Sequence, residues 1–342
     1  MAGVSVGTVD RVLHKRGEVS EDSYNRVMAI VEKTGYQPNL IAKTLGNHRI
    51  FNIVAILPDA QQDEYWKMAS EGVHKAEKAW SPYGVRVKIM SFDLYDHKAF
   101  KKTYKAALKM KPDGILTAPI FHQEAKEFLE SCKKEKIPFA IVNNNIPKAG
   151  SLTFIGQDLY KSGMVGAELL HINQVTGGTY AILHIYDDIH SSVHLSEKEK
   201  GFKSYFNGIK EQKCKVVSLD LNHTHAPTLE KELGQLFNIP DLKGVLVTTS
   251  KGASIVCSQL DKHGKKGIRM VAYDLLEKNI HFLKKGTIDF LINQNSNRQT
   301  YTGINQIANH LVFKKEVEPI YQFPLEIITR GNLDSYLDWA DH

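Results

Sequence analysis

Hydrophobic and polar residues follow one pattern before about residue 50 and a different pattern after it. In the first part, apolar residues recur at helical spacing in two runs, which are Val9, Val12 and Leu13 and then Val27, Ile30 and Val31. Ser5 and Ser20 can each cap a helix at its start, and Gly35 can end the second helix. This pattern predicts two short helices joined by a turn.

Beyond residue 50, short apolar runs alternate with segments of helical spacing. The runs predict nine strands, at residues 53–57, 85–92, 114–118, 139–143, 180–185, 215–219, 244–248, 269–273 and 289–293. Strands that alternate with helices favour parallel sheets with right-handed crossovers. Because these strands are more than one such sheet needs, the sequence predicts an α/β fold with two lobes, each a parallel sheet flanked by helices.

Composition narrows the classes of protein to which this chain can belong. It has 342 residues, of which 42% are hydrophobic, and a formal net charge of +6, so it can bury one or two cores and permits a nucleic-acid partner without requiring one. Its three cysteines form no Cys-x-x-Cys pair. The sequence contains no run of about 18 apolar residues and no signal-peptide pattern. These features predict a cytoplasmic protein without a membrane segment.

The first part of the chain carries an ordered set of motifs. The segment AGVSVGTVDRVL, at residues 2–13, resembles the turn and recognition helix of the lactose-repressor (LacI/GalR) family. Val19 and Ser20, then GYQPN at residues 35–39 with Ala42 and Leu45, are similar to the third helix and hinge of that family. The resemblance covers the whole chain and implies a partial all-α helix-turn-helix headpiece before the two-lobed unit. It also implies a ligand-responsive regulator that binds operator DNA as a homodimer.

The resemblance implies specific DNA contacts. Val6 and Gly7 stand at base-reading positions, Arg11 contacts a base or a phosphate, and Ser5 and Thr8 lie at the start of the helix, close to the DNA backbone. Because valine offers only apolar contact and glycine has no side chain, we expect little direct base readout.

The resemblance also implies a hinge after the headpiece. There, the segment from Asn39 to Leu45 is expected to form a short helix in the minor groove, with Leu45 as a wedge between base steps. Asp10 departs from the serine usual in the family and brings a carboxylate near the phosphates.

Domain boundaries follow from the same comparison of motifs. We expect a headpiece at residues 1–38, a hinge and linker at 39–50, and an effector-binding domain at 51–342. Lobe one is expected to comprise about 51–158 and 295–320, and lobe two about 159–294 and 321–337. Since the motif begins at its turn, we expect Met1 to be an internal methionine of a protein with a further helix upstream.

The rest of the chain resembles the two-lobed periplasmic sugar-binding proteins, in which the ligand lies between the lobes at the C-terminal ends of the strands. Tyr65 and Trp66 can stack on the C–H face of a sugar, and Asp63 can bind its hydroxyl groups. The other ligand-binding residues that the resemblance implies are Phe121, His122, Lys198, Thr249, Asp274 and Gln294. Lys198 or Ser196 lies near the place of a family arginine, and a lysine lacks the bidentate guanidinium.

Other interpretations stay open. Trp66 can be a core residue and Asp274 a helix cap, and the chain can be a soluble sugar-binding protein without a DNA role, although the motif at residues 2–13 argues against this. An enzyme is disfavoured because neither a nucleophile with its base nor a phosphate loop emerges. A metal site would have to come from His184, His190, His194, His223 and His225, whose spacing fits no metal-binding pattern, and no cofactor is expected.

Overall fold

The structure is a computed structural model, and it describes residues 2–14, 17–34, 49–185, 193–210, 213–221 and 226–340. The chain forms two compact units, residues 1–49 and residues 50–342. Asn39 and Leu45, which we predicted to bind DNA, lie outside the described residues. The predicted boundaries of the headpiece, the hinge and the lobes stay predictions.

The smaller unit contains two helices, α1 (Val6–His14) and α2 (Glu21–Thr34). Ser5 caps α1, since its Oγ accepts a hydrogen bond of 3.1 Å from the backbone N–H of Thr8. Val12 on α1 and Val27 on α2 are buried. The two helices are those that the helical spacing of apolar residues predicted.

The larger unit alternates strands and helices. Its strands are β1 (Phe51–Pro58), β2 (Val85–Phe92), β3 (Gly114–Thr117), β4 (Phe139–Val142), β5 (Thr153–Gly156), β6 (Gly178–Ile185), β7 (Cys214–Leu221), β8 (Leu242–Val247), β9 (Arg269–Tyr273), β10 (Phe290–Asn293), β11 (Ile320–Gln322) and β12 (Glu326–Ile328). Its α-helices are α3 (Glu64–Trp80), α4 (His97–Lys109), α5 (His122–Lys134), α6 (Leu159–His171), α7 (Val193–Gly208), α8 (Ala226–Phe237), α9 (Ala253–Lys262), α10 (Glu277–Lys285), α11 (Ser296–Phe313) and α12 (Leu333–Ala340). A short 3-10 helix, Ser81–Tyr83, follows α3.

The strands form two six-stranded sheets, and each sheet is the centre of one lobe. In lobe one the order is β11-β5-β4-β3-β1-β2, with every pair parallel, and in lobe two it is β12-β10-β9-β8-β6-β7. This arrangement confirms the predicted two-lobed α/β fold. One detail of the prediction was wrong, because β12 pairs antiparallel with β10 and the sheet of lobe two is therefore not purely parallel.

Helix α3 illustrates how the sequence positions a helix against its sheet. Its buried residues Ala69, Gly72, Val73, Ala76 and Trp80 stand at positions i, i+3, i+4, i+7 and i+11 and so share one face. That face packs on the sheet of lobe one and on α11. The start of α3 is thereby fixed at the end of β1, where the two lobes meet.

The chain passes between the lobes at three segments, which follow β5, β10 and β11. Gln157, in the first segment, is buried, and its Nε2 donates to the carbonyl oxygens of Asn293 at 2.9 Å and Pro324 at 2.8 Å. Asn293 is the last residue of β10, where the second segment begins, and Pro324 lies in the third segment. One amide side chain therefore ties all three connections together at the base of the space between the lobes.

Candidate ligand-binding cleft

A cleft lies between the lobes, at the C-terminal ends of strands from both sheets. Its empty volume is about 710 Å³, a figure that includes space open to solvent. Residues from both lobes line it: Asp63, Tyr65, Trp66, Leu94, Tyr95, Ile120 and Asn143 from lobe one, and Ile185, His194, Lys198, Thr248, Thr249, Ser250, Lys251 and Gln294 from lobe two. The cleft thus brings together six of the residues that the sequence predicted as ligand-binding, which are Asp63, Tyr65, Trp66, Lys198, Thr249 and Gln294.

The first turn of α3 supplies a carboxylate and two aromatic rings. Asp63 caps the helix, since its Oδ1 accepts a hydrogen bond of 2.8 Å from the backbone N–H of Tyr65. The rings of Tyr65 and Trp66 pack edge to face, with centroids 5.0 Å apart, and the Tyr65 hydroxyl donates to Asn143 Oδ1 at 3.2 Å. Burial raises the pKa of Asp63, whereas the N–H of Tyr65 and the nearby Lys251 lower it.

Lys198 brings a buried ammonium group to the cleft from α7. Its side chain is 1% exposed, and its Nζ donates to the carbonyl oxygen of Thr248 at 3.2 Å and to Gln294 Oε1 at 3.3 Å. The same Nζ lies 3.5 Å from the centre of the Tyr273 ring. A desolvated ammonium needs such compensation, and the oxygens and the ring face supply it.

Asp274 lies beneath the lining of the cleft and holds two of its residues. Its carboxylate accepts hydrogen bonds from the Ser250 hydroxyl, from the backbone N–H of Gln294 at 2.8 Å and from Gln294 Nε2 at 2.6 Å. Burial raises the pKa of Asp274, and these donors and Lys198 oppose that shift. In this arrangement the carboxylate orients Ser250 and Gln294 toward the cleft.

The side-chain hydroxyl of Thr249 is buried in the lining and has no protein hydrogen-bond partner among the residues that the structure describes. A buried hydroxyl without a partner is energetically costly. A ligand hydroxyl in the cleft would satisfy it.

The structure does not bring Phe121 and His122 to the cleft. They line a separate surface hollow with His97, and the Phe121 ring lies 6.1 Å from that of Phe92, against an apolar cluster of lobe one that includes Phe92 and Phe100. Ile120 is the residue of this loop that reaches the cleft. Because adjacent residues in a loop point in different directions, an error of one position in sequence moves a side chain out of the site.

Sequence reasoning did not assign several lining residues to the ligand. Asn143 is the first residue after β4, and Ser250 is the third residue after β8, so their place after a strand was a signal that could have found them. His194 was weighed only as a metal ligand, and its Nδ1 lies 3.3 Å from Asn144 Nδ2. His190, His223 and His225 lie outside the described residues.

The described part of the chain has neither a candidate metal site nor a helix that could span a membrane. No group of three or more histidine, cysteine, aspartate or glutamate side chains could hold a metal ion there. None of the described helices combines the length and the apolar character that crossing a membrane requires.

Four of the predicted DNA-contacting residues, Ser5, Val6, Gly7 and Thr8, lie at the start of α1, and Arg11 lies one turn further along the helix. Ser5, Val6, Gly7 and Arg11 are exposed, with Val6 at 87%, and Thr8 is half-buried. The hydroxyl groups of Ser5 and Thr8 lie 2.9 Å apart. A valine of the core would be buried, whereas Val6 is exposed at the first position of α1. The exposed face of this helix is available to a partner.

The fold and the cleft together define a two-lobed receptor of the periplasmic-binding-protein type. Residues 54–315 match the model of the periplasmic binding protein domain, and residues 1–39 match that of the bacterial regulatory proteins of the lacI family. The chain therefore belongs, through its larger unit, to the periplasmic binding protein domain family, and its first 39 residues match the lacI family of bacterial regulatory proteins.

The named relatives match this chain over segments of different length. The ribose operon repressor of Halalkalibacterium halodurans is 26% identical over 283 residues, which are 80% of this chain and 77% of the relative. The regulator DegA of Bacillus subtilis is 27% identical over 193 residues, 56% of this chain and 51% of DegA, so the match spans about half of DegA. Both are named as regulators and not as enzymes.

Solved structures share the fold of the larger unit. A Bacteroides fragilis structure described as a LacI transcriptional regulator is 29% identical, covers 84% of this chain and 100% of its own, and has a TM-score of 0.78. The glucose-galactose binding protein GanP of Geobacillus stearothermophilus is 20% identical, with coverages of 83% and 99% and a TM-score of 0.73, and shows likeness of fold alone.

Proposed function

We propose that this protein is a ligand-responsive transcription regulator, acting as a repressor of a carbohydrate-use operon. It binds operator DNA through the headpiece as a cytoplasmic homodimer, and it senses a sugar or sugar derivative in the cleft. The names of the relatives, which include a ribose operon repressor, support a sugar as the effector class.

The observation that carries the proposal is the composition of the two sides of the cleft. Lobe one offers the rings of Tyr65 and Trp66 and the carboxylate of Asp63, while lobe two offers Lys198 and Gln294. A sugar has apolar C–H faces and a rim of hydroxyl groups, and it binds best between aromatic rings and charged hydrogen-bonding groups. Since the two sets of groups belong to different lobes, a bound sugar stabilises the approach of the lobes.

Sensing requires that the sugar bind one arrangement of the lobes more tightly than another. A coupling free energy of about 1–3 kcal/mol changes DNA affinity by roughly 5–150-fold. In a homodimer, both headpieces would respond to the same change, because two half-sites are read together.

The alternative is a soluble sugar-binding protein without a DNA role. The likeness of the larger unit to GanP is compatible with it. The exposed start of α1, with Val6, Gly7 and Arg11 available to a partner, favours the regulator.

A ligand screen tests the sensor. Thermal unfolding is measured with D-ribose, D-arabinose, D-glucose, D-galactose, myo-inositol, sugar acids and sugar phosphates, since a ligand at a hundredfold excess over its Kd adds roughly 2.7 kcal/mol. We expect one class to stabilise the wild-type chain and the Asp274→Ala variant to lose the response, whereas the exposed control Asp334→Ala keeps it. Stabilisation by no member of the panel would contradict a sugar sensor.

Gel-shift and fluorescence-anisotropy assays test the DNA role, with and without the stabilising sugar, using this chain and a version extended upstream. We expect sequence-specific binding that the sugar weakens and that Arg11→Ala reduces. Binding of neither version to any operator-like duplex would favour the sugar-binding protein without a DNA role.

A further inference from the structure

A buried asparagine on α10 connects two loops of lobe two. Asn279 is 1% exposed, and its Nδ2 donates to the carbonyl oxygens of Tyr273 at 2.9 Å and Ser250 at 2.9 Å. A longer contact of 3.4 Å reaches the carbonyl oxygen of Asp274. The side chain thus spans the loop after β8 and the loop after β9.

These two loops carry groups of the cleft. The first loop contains Thr249, Ser250 and Lys251, and the second contains Asp274, whose carboxylate accepts from the Ser250 hydroxyl. Asp274 has a φ of 66°, a left-handed conformation that is uncommon outside glycine and persists only where surrounding contacts hold it. Without the amide of Asn279, three converging carbonyl oxygens would lose their shared donor.

The helix that carries Asn279 also contacts lobe one. Glu64, in the first turn of α3, accepts a hydrogen bond of 3.0 Å from the backbone N–H of Glu277 at the start of α10. Leu276, just before α10, packs in the apolar cluster of lobe one that includes Tyr65 and Trp66. The start of α10 is therefore fixed by the same turn of α3 that presents the aromatic side of the cleft.

We propose that Asn279 is a positioning residue for the cleft. Its side chain holds the loops of Ser250 and Asp274 in place, and it couples the ordering of these loops to the contact of α10 with Glu64 of lobe one. This inference rests on the proposed function for its ligand. Asn279 does not line the cleft, so it acts through Ser250 and Asp274. Approach of the lobes orders α10, and α10 in turn orders the hydrogen-bonding groups that meet the ligand.

Hydrogen exchange of the ligand-free protein tests the positioning role without any sugar. The amides of Thr248 and Asp274 donate to Leu183 at 3.0 Å and to Ile292 at 3.1 Å, so they report on the two loops. In Asn279→Ala we expect both to exchange about fivefold faster or more, with the amides of α4 unchanged. The control Lys284→Ala, an exposed change on the same helix, leaves all of them at wild-type rates.

Sugar affinity tests the link to the ligand. For the sugar of the panel that stabilises the wild type, we expect Asn279→Ala to raise the Kd about fivefold or more, which is the range of coupling between sites. Glu64→Ala, which removes an exposed side chain, is expected to raise the Kd and to speed exchange of Thr248 and Asp274, whereas Glu71→Ala on the exposed part of α3 does neither.

Wild-type exchange of Thr248 and Asp274 in a folded Asn279→Ala protein would overturn the proposal, whatever the ligand is. If Asn279→Ala does not fold, Glu64→Ala decides, and wild-type exchange together with a wild-type Kd would overturn it. If no sugar stabilises the wild type, the proposed function fails, and the exchange rates still decide the role of Asn279.

Discussion

Gln294 donates two hydrogen bonds to the carboxylate of Asp274, one from its backbone N–H at 2.8 Å and one from its Nε2 at 2.6 Å. The amide oxygen of the same side chain accepts from Lys198 at 3.3 Å. Gln294 therefore lies between a buried carboxylate and a buried ammonium group and satisfies both. Because each of these charges is excluded from water, the amide between them is important both for folding and for the shape of the cleft.

Replacing the side-chain amide of Gln294 separates its effect on folding from its effect on ligand binding. Gln294→Met keeps the approximate length and removes both side-chain hydrogen bonds, so we expect a loss of about 1–3 kcal/mol in the free energy of unfolding and a weaker response to sugar. Urea unfolding and thermal shift with the stabilising sugar measure the two quantities. The control is Gln259→Met, because Gln259 is also buried and donates to a carboxylate, that of Glu230, at 2.7 Å. We expect it to lose stability and keep the full ligand response, and an equal ligand response in both variants would contradict a role for Gln294.

Asp63 both caps α3 and faces the cleft, and a conservative change distinguishes the two roles. In Asp63→Asn the amide oxygen can still accept from the N–H of Tyr65, so we expect the unfolding temperature without ligand to change little. The charge is lost, and charge-assisted hydrogen bonds are worth about 1.5–3 kcal/mol, so the Kd should rise about tenfold or more. Titration calorimetry measures the Kd for the sugar. Asp96→Asn alters a comparable cap, which accepts from Lys98 N at 2.7 Å, and should leave the Kd unchanged.

Gly163 allows α6 and α7 to pack closely, and this contact places Lys198. A Cβ at residue 163 would lie 1.8 Å from the carbonyl oxygen of Lys198, so Gly163→Ala forces the two backbones apart. We expect a loss of about 1–3 kcal/mol or more and a fall in unfolding temperature of about 2 °C or more. The Kd for sugar should rise as well, since Lys198 is displaced. Calorimetry checks this against Gly208→Ala at the end of α7, where a Cβ meets nothing within 4 Å and wild-type behaviour is expected.

His184 makes the stability of lobe two sensitive to acid. Thr248 Oγ1 donates to the carbonyl oxygen of Leu183 at 2.9 Å, so it accepts at 2.8 Å from Nδ1 of a neutral His184. Burial lowers the pKa of His184 from 6.5 to about 4, and Lys198 and Lys203 act in the same direction, whereas Glu199 opposes them. As the pH falls, the unfolded chain takes up the proton on this histidine before the folded chain does. The contribution of neutral His184 to the free energy of unfolding is therefore fully present above about pH 6.5, and it is lost as the pH falls toward the lowered pKa of the folded state.

The expected loss from this one histidine is about 3 kcal/mol between pH 6.5 and pH 4. Chemical unfolding at a series of pH values measures it, and His184→Gln should flatten the profile in this range. His281→Gln, an exposed change on α10, should leave the profile as in the wild type. A wild-type slope in His184→Gln would show that other groups are responsible.

Much of the fold followed from local patterns. Each of the nine predicted strands corresponds to an observed strand, whereas β5, β11 and β12 were missed. Strands β11 and β12 have only three residues, too few for a pattern of alternation, and β5 has only two large apolar residues, Phe154 and Ile155. The antiparallel pairing of β12 was equally invisible, because direction depends on how the chain returns across the three connections between the lobes.

The candidate site was predictable where it lies next to a strand end. Asp63, Tyr65 and Trp66 follow β1, and Thr249 follows β8, so the rule that ligands bind at the carboxyl ends of parallel strands found them. The same rule selected Phe121, whose ring instead packs against the apolar cluster that includes Phe92 and Phe100. Sequence position gives the loop, and packing decides which of its neighbouring side chains enters the cleft.

The sequence by itself determined the order of most helices and strands and the cap at Ser5, because these depend on contacts between near neighbours in the chain. Only the tertiary structure decided that Lys198 lies over Tyr273 and donates to Gln294, which is 96 residues away in sequence. It likewise decided that Asn279 joins two loops from different strands. Such contacts depend on the packing of whole elements, and no local pattern of residues specifies the orientation in which those elements meet.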